Sequence, residues 1–126
     1  MSTARVLIVD DAATTRAALR QQLERDGYEI VGEAGDGARA LELFQEQVPD
    51  LVLLDLVLPR MHGLEVLRRI LDLASGALVI AVSALDQETF VSQALEAGAV
   101  DYLTKPLKPA QVRMAVEKTL AGRGGA

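Results

Sequence analysis

The chain alternates short apolar runs with longer amphipathic stretches. Four runs are dense in branched residues: Arg5–Val9, Glu29–Ala34, Leu51–Leu54 and Leu78–Ser83, with a weaker fifth at Asp101–Thr104. The middle runs are continuous rather than alternating, which is the pattern of strands buried on both faces. Between the runs, apolar residues recur at helical spacing. Leu19 and Leu23 form one pair; Ala40, Phe44 and Val48 form a stripe, as do Leu64, Leu67 and Leu71, and Val112, Val116 and Leu120. Gly27, Gly76 and Gly98 stand just past helical stretches, where a left-handed residue closes a helix. Asp36-Gly37 and Asp86 stand where helices would start. Phe44 and Phe90 fall on apolar helix faces and are expected in the core.

The pattern predicts five βα units joined by short connections. Such units imply an α/β fold: a parallel, doubly wound sheet with right-handed crossovers and helices on both faces. A sheet of this kind carries its functional crevice at the carboxyl ends of the strands.

Composition narrows the class. The 126 residues fit one domain, with enough chain to bury a core without staples. There is no cysteine, which excludes disulfides and thiolate metal sites. Lys+Arg 13 against Asp+Glu 18 gives 13 − 18 = −5, which argues against direct nucleic-acid binding. No apolar run approaches the length of a membrane span, and the amino-terminal stretch lacks the apolar core of an export signal. The expected compartment is the cytoplasm, with no membrane contact.

The polar residues just past the strands carry the chemistry. They are Asp10-Asp11 after the first, Asp55 after the third, Ser83 at the end of the fourth, and Thr104-Lys105-Pro106 after the fifth. Aspartates after strands are common turn residues and helix caps, and each alone could be one. A parallel sheet brings all of these ends to one edge, where independent turns have no reason to supply complementary charges. Two unit negative charges about 5 Å apart repel by about 3 kcal/mol at an effective dielectric of about 20. Three carboxylates therefore call for protonation or a cation. Oxygen donors without a His or Cys cluster favour Mg²⁺ or Mn²⁺ over zinc. A divalent ion, a spare carboxylate, a hydroxyl and a lysine suit phosphoryl transfer, with Asp55 the candidate nucleophile.

In order and spacing, VLIVDD (Val6–Asp11), PDLVLLD (Pro49–Asp55), LPRMHG (Leu58–Gly63), VSA (Val82–Ala84) and AGAVDYLTKP (Ala97–Pro106) resemble a response regulator receiver domain of the chemotaxis, CheY-like kind. The resemblance implies a flavodoxin-like strand order 2-1-3-4-5 and a receiver over residues 1–121, and the glycine-rich end, without apolar periodicity, predicts a flexible tail over 122–126. It implies that Asp55 accepts a phosphoryl group from a sensor histidine kinase or phosphotransfer protein. Asp10, Asp11, Asp55 and the Val57 backbone carbonyl would hold Mg²⁺. Lys105 would contact the phosphoryl oxygens and Ser83 would move to hydrogen-bond them. Tyr102 would turn inward with Ser83, and the Lys105–Pro106 bond would be cis. The fourth helix, fifth strand and fifth helix would meet a downstream protein, a flagellar motor switch being one such target, with Val91 and Tyr102 as contact residues. The molecule would be a monomer or weak dimer, with no enzymatic activity beyond its own phosphorylation and dephosphorylation.

Departures from the family pattern lie beside the site. His62, the single histidine, stands where Asp or Asn is usual, and is expected to face solvent. Leu58 replaces a common methionine, and Met61 is expected to cover the loop. Apolar Val57 and Leu85 flank the position of the attacking water and are expected to lengthen the life of the acyl phosphate. Two other classes fit these residues less well. A Mg²⁺-dependent phosphohydrolase with an Asp nucleophile typically wants a carboxylate two residues on, but Val57 and Ala12 stand there. A flavodoxin-like electron carrier wants a phosphate-cradling first loop, and VDDAAT (Val9–Thr14) would repel phosphate. A receiver taken from a longer, DNA-binding or enzymatic regulator also matches these residues.

Overall fold

The structure is a computed structural model that describes residues 3–124. Strands β1 (Arg5–Val9), β2 (Glu29–Ala34), β3 (Leu51–Asp55), β4 (Val79–Ser83) and β5 (Asp101–Thr104) alternate with helices α1 (Ala13–Arg25), α2 (Gly37–Gln47), α3 (Gly63–Leu73), α4 (Glu88–Ala97) and α5 (Pro109–Gly124). All pairings are parallel, in the order β2-β1-β3-β4-β5. The α/β architecture and strand order are those expected.

Period-two alternation along the central strands feeds two cores. Leu7, Val9, Val52, Leu54, Val79 and Ala81 pack with Phe44 of α2, Leu67 and Ile70 of α3, and Ala94 of α4. Val6, Ile8, Leu51, Leu53, Ile80 and Val82 pack on the other face with Leu19 and Leu23 of α1 and Val112 and Val116 of α5. Both faces of β1, β3 and β4 are thus covered, which explains their unbroken apolar runs.

The structure corrects the helix ends at several points. Val48 is not part of the α2 stripe. It is the left-handed C-cap (φ 44°) and is 66% exposed, because Pro49 cannot continue the helix and the chain turns back into β3. Gly27 (φ 98°) and Gly98 (φ 116°) take the expected left-handed conformation, but Gly76 does not. Helix α3 ends instead at an extended Ala74, whose carbonyl accepts from Ala77 in the following turn. Asp36 caps α2 through the Arg39 N–H, whereas α4 begins at Gln87 with no side-chain cap, so Asp86 is not a cap. Phe44 is buried, but Phe90 is only half-buried and lies outside both cores. Helix α5 continues to Gly124, so the expected tail boundary after residue 121 falls inside a helix. Extending a formed helix adds one hydrogen bond per residue, which offsets the weak propensity of glycine. Residues 125 and 126 of the expected tail lie outside the described residues.

Candidate functional site

The strand register sets the ends of β1, β3, β4 and β5 side by side. Val9 pairs with Leu54, Asp55 with Val82, and Ser83 with Thr104. Among the described residues, the buried polar side chains are Asp10 (1% exposed), Asp55 (4%) and Ser83 (0%). Polar burial is costly and needs partners, so its confinement to one edge marks that edge as the site.

Each buried carboxylate is held at both oxygens. Asp10 Oδ1 accepts the Ala12 N–H at 2.9 Å and Asp55 Oδ1 accepts the Val57 N–H at 2.9 Å. Lys105 Nζ bridges the other two oxygens, at 2.8 Å from Asp10 and 2.9 Å from Asp55. The Lys105–Pro106 peptide is cis, as expected. Asp11 is exposed, and one oxygen from each of Asp10, Asp11 and Asp55 lies within 4.8 Å of the others. Three carboxylates thus face one ammonium. Burial pushes the Asp55 carboxyl above its ordinary value, against the Val57 N–H and Lys105, which pull it down. Burial also works to lower the Lys105 ammonium, but its bonds to Asp10 and Asp55 outweigh this and hold it above its ordinary value. An acidic pocket of hard oxygen donors with excess negative charge fits a divalent ion such as Mg²⁺.

Ser83 and Tyr102 meet at one residue, through the two peptide groups that flank its Cα. Ser83 Oγ accepts the Leu85 N–H at 3.1 Å, and the Tyr102 hydroxyl donates to the Leu85 carbonyl. The Tyr102 ring packs against the core beneath α2–α4. Burial raises its phenol, and the Ser83 hydroxyl partly offsets the rise. Val91 is half-buried in the first turn of α4.

The β3–α3 loop closes the site from one side. Gly63 donates to the Leu56 carbonyl at 3.0 Å. A Cβ at Gly63 would stand 2.3 Å from Leu56 Cα and 2.7 Å from the Asp55 carbonyl oxygen, so only glycine fits beneath the Asp55–Leu56 peptide. Arg60 turns the loop in a left-handed conformation (φ 67°) and pairs with Asp36 at 3.1 Å. Leu58 and Met61 pack against the core, while His62 faces solvent as expected. Val57 (52%) and Leu85 (36%) expose their side chains beside the site.

The sequence-predicted residues Asp10, Asp11, Asp55, Ser83 and Lys105 converge, with Tyr102 linked to Ser83. Arg16 was missed. Its Nη1 donates to the Asp10 carbonyl at 2.6 Å, and its Nε meets Glu33 of β2. Both partners lie on other elements, so no local pattern flags it.

Comparison with known proteins agrees with this geometry. The family model described as the response regulator receiver domain matches residues 6–117. The chemotaxis protein CheY of Bacillus subtilis is 41% identical over 116 residues, covering 92% of this chain and 97% of that protein. The chemotaxis protein CheY of Thermotoga maritima is 40% identical over 114 residues, covering 90% and 95%. Among solved structures, the CheX–CheY–BeF₃–Mg²⁺ complex of Borrelia burgdorferi matches with a TM-score of 0.90 and 34% identity, over 93% of this chain and 89% of that one. With the matched span running from β1 into α5 and including every converging side chain, the chain belongs to the response regulator receiver domain family and is a CheY-like receiver of two-component signalling.

Proposed function

We propose that Asp55 is the phosphoacceptor and that the chain works as a phosphorylation-controlled switch. The observation that carries this reading is the Lys105 bridge between Asp10 and Asp55 at a three-carboxylate edge. An Asp55 oxygen attacks the phosphorus of a phosphohistidine on a sensor kinase or phosphotransfer protein. The new O–P bond forms as the P–N bond breaks, and the imidazole nitrogen keeps the electron pair and takes a proton. Asp10, Asp11, Asp55 and the Val57 carbonyl hold Mg²⁺, which supplies charge neutralisation for the transferring group. Lys105, already among these carboxylates, contacts the phosphoryl oxygens.

The phosphoryl group adds about two negative charges and three acceptors. Ser83 turns towards it and releases the Leu85 N–H, and the Leu85 backbone, whose carbonyl accepts from Tyr102, passes that change to the ring. The face formed by α4, β5 and α5 then presents a changed surface to a downstream protein, a chemotaxis target being the favoured class. A cleft of about 770 Å³ along β5 and α5, lined by Tyr102, Leu103 and Met114, supports this choice of face. The catalysis is confined to the chain's own phosphorylation and dephosphorylation. No helix among the described residues is long and apolar enough to cross a membrane, in keeping with the cytoplasmic setting we propose.

Intact mass after incubation with acetyl phosphate tests the reading. The expected result is a Mg²⁺-dependent gain of one phosphoryl, lost in Asp55→Asn; an unchanged mass with acetyl phosphate and with phosphorylated donor protein contradicts it. Exposed, apolar Val57 and Leu85 leave the attacking water unoriented. Val57→Asn and Leu85→Glu are therefore expected to shorten the acyl phosphate half-life several-fold, and equal half-lives would sink that idea.

A further inference from the structure

We propose that Arg16 is a positioning residue for the cation pocket: its guanidinium sets the peptide from which Asp11 projects. The inference rests on the reading of Asp10, Asp11 and Asp55 as the Mg²⁺ pocket. Strand β1 ends at Val9, and the Asp10 N–H still bonds across to the Ala34 carbonyl at 3.0 Å. The Asp10 carbonyl is taken by Arg16 Nη1 at 2.6 Å. That carbonyl belongs to the peptide shared with Asp11. The Asp10 carboxylate is separately secured by the Ala12 N–H and Lys105, and the Asp55 carboxylate by the Val57 N–H and Lys105. Asp11 is the exposed member of the three, so the orientation of its peptide decides where its carboxylate stands.

Glu33 locks the guanidinium in place. Its Oε1 lies 3.2 Å from Arg16 Nε, while Oε2 lies 2.6 Å from Arg20 Nε. Arg16 and Glu33 are both half-buried, with side chains 21% and 27% exposed. Only a planar fork can meet a carbonyl on one side and a carboxylate on another in fixed directions; a lysine ammonium cannot reproduce both. Arg20 shares Glu33 and also pairs with Glu24, so it provides a built-in control.

Positioning and plain electrostatics predict opposite signs. A guanidinium beside a cation pocket repels the cation, so removing its charge should tighten Mg²⁺ binding if charge were the whole effect. If orientation of Asp11 dominates, removal weakens binding. Partners that orient metal ligands typically change metal affinity by about 10-fold or more.

The test is calorimetric Mg²⁺ titration of the full chain at fixed ionic strength, with circular dichroism to verify folding. Arg16→Lys and Arg16→Met are expected to weaken Mg²⁺ by about 10-fold, with Arg20→Lys close to wild type. The Mg²⁺ concentration giving half-maximal phosphorylation by acetyl phosphate should rise by the same factor, with the rate at saturating Mg²⁺ unchanged. Wild-type affinity in Arg16→Lys, or tighter binding in Arg16→Met, overturns the proposal. If the Arg16 variants do not fold, Glu33→Gln replaces them. A loss of affinity that persists at high salt supports positioning, and one that salt abolishes overturns it. Absence of Mg²⁺ binding by the wild-type chain overturns the cation pocket and this proposal together, whereas binding with an unaffected Arg16→Lys overturns this proposal alone.

Discussion

The two ends of the sheet solve the same problem in opposite ways. At the amino end, the Arg5 guanidinium donates to the Gln47 and Val48 carbonyls that close α2. The Arg5 N–H donates to Asp50 Oδ2 at 2.8 Å, and the Asp50 N–H returns a bond to the Arg5 carbonyl at 2.8 Å. One cation, one carboxylate and a helix's free carbonyls satisfy one another. At the carboxyl end, hydrogen bonds are equally complete, but Lys105 bridges only Asp10 and Asp55, and the Asp11 carboxylate stands close to both. The difference shows that satisfied hydrogen bonds do not separate scaffold from site in this molecule; the gathering of three carboxylates within 4.8 Å of one another does. Three carboxylates gathered at one edge suit a divalent cation.

The largest expected effect breaks the carboxyl end mechanically. Gly63→Ala drives a Cβ against Leu56 Cα and the Asp55 carbonyl, and is expected to cost about 3 kcal/mol in urea denaturation. Gly76→Ala meets nothing within 4 Å and should change stability by less than about 0.5 kcal/mol.

A smaller pair of effects sharpens the charge argument, because the signs differ. Arg5→Ala strips the partner from the α2 carbonyls and should lower stability by about 1–2 kcal/mol. Asp55→Asn should raise it at neutral pH. Asp55 titrates higher in the folded chain than in the unfolded one, so its ionisation penalises the fold. That penalty is absent below the unfolded carboxylate value and grows as pH rises through the folded one. The thermal midpoint of Asp55→Asn should therefore exceed wild type at neutral pH, by about 4 °C per kcal/mol relieved, and the gap should close in acid. Lys105 keeps Asp10 as its partner throughout. An Asp55→Asn midpoint below wild type at neutral pH would contradict the imbalance.

The sequence made the central strands legible because both faces of β1, β3 and β4 are buried, which leaves unbroken branched runs. It made Asp10, Asp55 and Ser83 legible for the same reason, since each stands where such a run stops, while Lys105 follows the weaker, half-buried run of β5. Helix ends were harder. Val48 continues the apolar spacing of α2 but serves as its left-handed cap, and Asp86 has the chemistry of a cap one residue before the N-cap that forms. Arg16 and Gly63 were illegible as site residues. Arg16 acts through a carbonyl six residues back and a glutamate on β2, and Gly63 matters through a side chain it lacks. Such roles exist only once the elements are packed.

The most direct measurement identifies the carboxylate that carries the phosphoryl group. Borohydride reduces an acyl phosphate to the alcohol, marking the modified aspartate, and peptide mass spectrometry then locates the mark. After incubation with acetyl phosphate and Mg²⁺, the account predicts conversion at Asp55 and at neither Asp10 nor Asp11. Conversion at Asp10 or Asp11 in place of Asp55, or at no aspartate in a chain that has gained phosphoryl mass, would contradict it.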